Sequence, residues 1–149
     1  MSEARTLKIK SSLATKLAQP GGRSLKDAER LALEGLERRR DDVLVEIQGV
    51  IGELEVLCVG QRPEEAMKVY ALGSTIIDLA GFFDTGPLYK AAYSLCDLSE
   101  QMAEAGVWRW PAVEVHVQTL RLIHASGCKA GPEATMLLNG LTAVLQATR

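Results

Sequence analysis

Apolar residues along most of the chain recur at spacings of three and four positions. The clearest rows are Leu88, Ala91, Ala92, Leu95, Leu98 and Met102; Val113, Val117, Leu120 and Ile123; and Ala134, Leu137, Leu138, Leu141, Val144 and Leu145. Because an α-helix turns every 3.6 residues, each row falls on one helical face. No comparable run alternates apolar and polar residues between turn signals. The pattern therefore predicts an all-α protein.

Prolines and glycines mark where these helices begin and end. Ser24 and Asp27 resemble a capping box. Proline fits a first helical turn because its missing N–H has no partner there, and four predicted helices start at Pro63, Pro87, Pro111 and Pro132. Glycines that suit helix ends are Gly60, Gly81, Gly106 and Gly127. The predicted helices are 24–59, 63–80, 87–105, 111–126 and 132–147. Their short connections favour an up-down bundle of one long and four shorter helices.

The first predicted helix is about twice as long as the others. It spans about 54 Å at the α-helical rise, whereas the later helices span about 24–29 Å. Two sets of its residues recur every seven positions: Leu36, Val43, Val50 and Leu57, and Leu33, Arg40, Ile47 and Leu54. Coiled coils and core-facing bundle helices share this pattern. We favour a stripe that faces the chain's own core. In the alternative, a homodimer seam is formed by Leu36, Val43, Ile47 and Val50.

Charge separates a short basic segment from the rest of the 149-residue chain. Residues 1–23 carry a net charge of +4 and the remaining residues carry −6, for a total of −2. The run Pro20-Gly21-Gly22 interrupts regular structure after the basic residues. We expect a basic flexible tail over 1–23 and a single helical bundle domain over 24–149. The hydrophobic content of 47% and charged content of 24% are ordinary for a soluble domain.

Composition also indicates the cellular compartment of the protein. The uncharged runs fall short of the roughly 20 apolar residues of a membrane span, and no apolar segment follows the N-terminal basic residues as in a secretory signal. The three cysteines are an odd number and lie far apart. That favours reduced thiols over a disulfide framework. We therefore expect a cytoplasmic protein that neither enters a membrane nor binds nucleic acid.

The segment Ala91–Leu98 reads Ala-Ala-Tyr-Ser-Leu-Cys-Asp-Leu. It resembles the active helix of a histidine-phosphotransfer domain, which carries Ala-His-Ser-Leu-Lys-Gly or a close variant. Further segments in the same order are Lys16-Leu17, Leu79-Ala80-Gly81-Phe82-Phe83, Gly106-Val107-Trp108 and Val113-Glu114-Val115-His116-Val117. From about residue 13 to 125, the chain resembles small alphaproteobacterial proteins of the CheE chemotaxis or histidine-phosphotransfer-like (Hpt-like) kind.

This resemblance implies a helical bundle in a two-component or chemotaxis network, with a response-regulator receiver domain or a related signalling protein as partner. The chain departs from the family at the chemistry. Tyr93 occupies the acceptor position, and Cys96 and Asp97 replace Lys and Gly. A second register over 69–74 places Tyr70 there instead. The resemblance therefore implies a non-enzymatic binding protein. Its predicted partner surface comprises Tyr70, Ser74, Tyr89, Tyr93, Cys96 and Asp97.

Other chemistry has weaker support in the sequence. His116 and His124 both lie on the fourth predicted helix, and phosphotransfer through one of them is an alternative function. His124 and Cys128 have a ligand-like separation, but zinc sites usually show tighter Cys or His pairs, so we expect no metal and no other cofactor. Cys96 is either a small core residue or an exposed reactive thiol. Trp108 and Trp110 precede Pro111 in a loop, where they either cap the bundle or anchor a partner.

A third hypothesis is a purely structural bundle that dimerises through the first helix. Exposure of Tyr93 distinguishes this hypothesis from the binding module. A binding module keeps Tyr93 in solvent, where a partner reaches it, whereas a structural bundle is free to bury it.

Overall fold

The computed structural model describes residues 24–83 and 85–149. The described residues form five α-helices, with a 3₁₀ turn at Pro63–Glu65 before the second: α1 Leu25–Gly60, α2 Ala66–Ala80, α3 Gly86–Ala105, α4 Trp110–Ala125 and α5 Pro132–Thr148. None of these residues is in a strand. The all-α prediction is confirmed, and the helix ends lie within one residue of the predicted ones, apart from the 3₁₀ start before α2. The predicted basic tail lies outside the described residues.

Two helix ends show the predicted capping chemistry, and the end of α1 departs from it. The Ser24 hydroxyl accepts the Asp27 N–H at 3.2 Å, and Gly106 closes α3 with a φ of 68°. At the end of α1, Gly60 is the last helical residue, and Gln61 takes the left-handed conformation with a φ of 48°. A residue with a Cβ is strained in that region.

The described residues divide into two units, with the boundary between Arg39 and Arg40. In the first unit, the described residues belong to α1 and its cap, and every side chain is exposed. Leu25, Leu33 and Leu36 are 68%, 62% and 55% exposed. The unit that holds the core thus begins at Arg40.

In the second unit, α3 packs against α2, α4 and α5. The predicted apolar rows of α3 and α4 are buried throughout, whereas only Ala134 and Leu141 of the α5 row are fully buried. A buried leucine or isoleucine contributes about 1.5–3 kcal/mol. The largest fully buried apolar side chains are Ile47, Leu54, Ile76, Leu88, Leu95, Leu98, Met102, Leu120, Ile123 and Leu141.

From Arg40 onward, the heptad stripe of α1 faces this core. Ile47 is fully buried there, and Val43 and Val50 pack against it partly buried. The proposed dimer seam therefore needs correction at Ile47, because a side chain enclosed by its own protomer is not available to a second copy. Arg40, the polar member of the stripe, donates to the Gly127 carbonyl at 3.4 Å.

α2 and α3 approach most closely at Gly73. A Cβ built on Gly73 would lie 2.9 Å from Cys96 Sγ and 3.5 Å from Leu95 Cδ2. Only glycine therefore fits here without displacing a neighbour. The connection after α2 is fixed by Thr85, whose buried hydroxyl donates to the Ala80 carbonyl at 2.7 Å.

We predict that Gly73→Ala lowers the free energy of unfolding by about 1–3 kcal/mol, because the added methyl group overpacks the contact between α2 and α3. Gly49→Ala is the matched control. Gly49 is an exposed glycine within α1 with no neighbour inside 4 Å of the added Cβ, so the change should raise stability by up to about 1 kcal/mol through helix propensity.

Urea unfolding measures both changes. The double variant Gly73→Ala with Cys96→Ala removes the clashing sulfur and should be more stable than additive losses imply. Equal stabilities for Gly73→Ala and Gly49→Ala would contradict the close contact.

Candidate functional site

A small cavity of about 120 Å³ opens between α2 and α3. We call it the tyrosine groove, and its lining residues are Tyr70, Ser74, Ile77, Tyr93, Cys96, Asp97 and Glu100. The close approach at Gly73 brings the two helices together here. Five of the six predicted partner-binding residues therefore meet in one place.

The aromatic rim of the groove is accessible. Tyr93 is 59% exposed, and Tyr70 and Tyr89 are 38% and 39% exposed. Tyr89, the sixth predicted residue, lies outside the groove and stacks on Tyr93 with 6.4 Å between ring centroids and 24° between planes. Stacking restricts both rings, so the exposed aromatic surface is partly ordered before any partner arrives.

The groove is acidic. Asp97 and Glu100 lie three residues apart on α3, no basic side chain lines the cavity, and neither carboxylate has an ion-pair partner among the described residues. The negative charge of Glu100 is the main cause that raises the pKa of Tyr70, and a hydrogen bond to Glu100 is the second. Tyr70 is therefore a neutral hydrogen-bond donor, and the groove as a whole presents negative charge.

Cys96 forms part of the groove wall and is not an exposed reactive thiol. Its side chain is buried, and its Sγ lies 3.8 Å from the Tyr70 carbonyl oxygen to which it donates. Burial, with a smaller contribution from Glu100, raises the pKa of Cys96 to about 11. Because the thiolate is the reactive form, this thiol is a poor nucleophile at neutral pH. The prediction that Cys96 contacts a partner is therefore corrected: Cys96 supports the wall of the groove.

His116 is enclosed between α3 and α4 and is fully buried. Its Nδ1–H donates to the Ala112 carbonyl at 2.9 Å, and its Nε2 accepts from the Ser94 hydroxyl at 2.9 Å. The tautomer follows because a carbonyl oxygen only accepts. Burial lowers the pKa of His116, opposed in part by the hydrogen bond to Ala112. Both ring nitrogens are engaged within the protein, so neither is presented to a phosphoryl donor.

His124 is also engaged within the second unit. Its Nε2 donates to the Leu44 carbonyl at 2.8 Å, which links α4 to α1. Cys128 is buried, and burial raises the pKa of its thiol, while the charge of Arg40 opposes this. Across residues 24–83 and 85–149, no three His, Cys, Asp or Glu side chains form a group that could hold a metal ion.

Two groove residues, Ile77 and Glu100, are absent from the predicted surface. The predicted row ran through Tyr89, Tyr93 and Asp97 in steps of four residues. A step of three from Asp97 reaches Glu100, so the neighbouring helical row carried a usable signal. Ile77 had no such signal, because its role depends on how α2 faces α3.

We predict that the neutral state of His116 makes stability depend on pH. The folded pKa is lowered below the ordinary value of 6.5. Between these two pKa values the unfolded chain binds more protons than the folded chain, so the stabilisation is complete above pH 6.5 and declines as the pH falls below it.

His116→Gln removes this titration. The free energy of unfolding of the variant should therefore change less between about pH 5 and pH 7 than that of the native protein. Urea titrations across this range, with helicity followed by circular dichroism, provide the measurement. Parallel pH profiles for the two proteins would refute the assignment of a buried neutral imidazole.

Comparison with known proteins identifies no relative. No family model, curated protein or solved structure matches the chain. Within the described residues, no helix is both long and apolar enough to cross a membrane. The Hpt-like and CheE-like resemblance stays a prediction, so the functional conclusion depends on the geometry of the tyrosine groove.

Proposed function

We propose that the chain is a non-catalytic signalling protein that binds a response-regulator receiver domain, or a related two-component or chemotaxis protein, through the tyrosine groove. The observation that carries the proposal is the 59% exposure of Tyr93. This tyrosine lies mid-helix beside a cavity, at the position where the resemblance expects an acceptor histidine. A structural bundle has no need to hold a large aromatic side chain in solvent there.

Tyrosine suits a binding surface for physical reasons. It offers a large amphipathic area and loses few rotamers on binding, and for this reason it is enriched among residues that dominate interface energies. The stack of Tyr89 on Tyr93 reduces the remaining ordering cost. The groove also adjoins a second cavity of about 240 Å³ that shares Tyr70 and Glu100 and includes Met67 and Trp108. A partner therefore meets an aromatic and acidic centre with an apolar extension.

The groove residues supply recognition and no phosphotransfer chemistry. Phosphotransfer needs a nucleophilic imidazole and a cation beside the phosphoryl oxygens, whereas the groove supplies phenols, a protonated thiol and two carboxylates. Asp97 and Glu100 offer a phosphoryl group no cationic contact. The same carboxylates attract a basic residue of the partner, so binding should depend little on the partner's phosphorylation.

We predict that Tyr93→Ala weakens binding of a receiver domain by about 1–3 kcal/mol, because it removes the central aromatic contact. Met136→Ala is the matched control. Met136 is 73% exposed on α5 and does not line the groove, so its loss should leave affinity unchanged.

Purified receiver domains from the organism that encodes the chain should be screened by biolayer interferometry, in phosphorylated and unphosphorylated forms. Circular dichroism verifies that both variants keep their helicity. If no receiver domain binds, or if Tyr93→Ala and Met136→Ala bind equally well, the proposal fails.

A second candidate function, homodimerisation, is favoured by the exposed leucines of α1. Leu25, Leu33 and Leu36 are each more than half exposed within one stretch of helix. Contact between such leucines in two copies would remove apolar surface from water. The seam then involves Leu36 and the residues before it, and not Ile47.

We expect the double variant Leu33→Glu, Leu36→Glu to be monomeric if this dimer forms, because like charges would meet across the seam. The urea midpoint of the monomer should be unchanged, since both side chains lie outside the described core. Val43 and Val50 are poorer sites for the test, because charges there also disturb the core. Light scattering at high micromolar concentration measures the mass, and a monomeric native protein would rule out the dimer.

A further inference from the structure

A larger cleft of about 680 Å³ lies where α1 ends, α4 begins and α5 ends. Its walls include Gln61, Trp108, Arg109, Trp110, Val144 and Ala147. The volume falls in the range of about 300–1,000 Å³ that is usual for small-molecule sites. Neither the predicted partner surface nor the dimer seam uses these residues.

The two tryptophans form an aromatic wall of this cleft. Trp108 and Trp110 meet edge to face, with ring centroids 5.7 Å apart and planes at 70°. Trp110 is buried, whereas Trp108 is only partly buried. They are the only tryptophans in the chain. With Val144 and Ala147 opposite, the wall offers an apolar or aromatic ligand a large contact area.

Polar groups at the cleft favour a ligand with a negatively charged end. The indole N–H of Trp108 is buried and has no acceptor among the described residues. Arg109 is exposed, has no ion-pair partner within them, and no carboxylate lines the cleft. The Trp108 N–H is closed to the cleft, so the unpaired Arg109 cation alone gains from an anionic oxygen there.

The backbone at the cleft is also strained. Gln61 lines it in the left-handed conformation, although Gly60 immediately before it would tolerate that conformation without penalty. Strained residues of this kind often occur at ligand sites.

We infer that this cleft binds an amphipathic organic anion, a small molecule with an apolar or aromatic body and one carboxylate or sulfonate. The body packs on Trp108, Trp110 and Val144, and the anionic group pairs with Arg109. The inference does not rest on the tyrosine groove or on the proposed receiver partner, although Trp108 also lines the cavity of about 240 Å³ beside that groove.

Fluorescence of the intact chain tests this inference directly, because both tryptophans lie at the site. The probe is anilinonaphthalene sulfonate, and its uncharged analogue phenylnaphthylamine is the comparison. We expect saturable binding of the sulfonate, with quenching of tryptophan emission by energy transfer to the dye. Absence of saturable binding, or binding without loss of tryptophan emission, would overturn the inference.

Two kinds of variant test separately where the dye binds and whether the charge of Arg109 contributes to binding. Ala147→Phe fills the cleft and should abolish binding of both dyes, whereas Ala143→Phe, an exposed position on the same helix outside the cleft, should leave binding intact. Arg109→Gln should weaken the sulfonate by about fivefold, the scale of an exposed ion pair, and leave the neutral dye unaffected.

Circular dichroism confirms that each variant stays folded. Unchanged dye binding in Ala147→Phe would place the dye elsewhere and refute the site. Equal effects of Arg109→Gln on the two dyes would refute the anionic class of ligand.

Discussion

The contact of Gly73 with Cys96 is the constraint on which the candidate site depends. Because Gly73 has no side chain, α2 lies so close to α3 that a Cβ added at Gly73 would be 2.9 Å from Cys96 Sγ. This proximity puts Tyr70 and Ser74 of α2 beside Tyr93 of α3 and leaves a small groove between them. A larger residue at position 73 would separate the helices, and the same tyrosines would then lie on unconnected surfaces.

Polar groups on α3 have different roles in the groove and in the buried core. Asp97 and Glu100 face the groove without cationic partners among residues 24–83 and 85–149, so within this part of the chain their charges are available to a binding partner. Ser94, next to Tyr93 in sequence, turns towards α4 and donates to the buried His116. The unprotonated imidazole nitrogen of His116 is thus used as a structural hydrogen-bond acceptor. The exposed side of α3 thus presents Tyr93, Asp97 and Glu100, the residues on which the proposed function rests.

α1 is one continuous helix, but its side chains are buried in one part and exposed in the other. From Arg40 onward its stripe packs into the core, and His124 and Arg121 of α4 bond to Leu44 and Glu55 at 2.8 and 2.7 Å. Before Arg40 the leucines are exposed. The heptad pattern is the same in both parts, because a coiled-coil seam and a bundle face require the same spacing.

The sequence by itself determined the all-α class and the helix ends, because apolar spacing, prolines and caps act within a few residues of each other. The resemblance to phosphotransfer domains also grouped five groove residues in one predicted surface, with Tyr70 and Ser74 taken from its second register. Only the tertiary structure decided that Cys96 and His116 are buried, that Glu100 completes the groove, and that Ile47 faces its own core. Burial and proximity depend on which helices pack together, and residue spacing along one helix does not specify its neighbours.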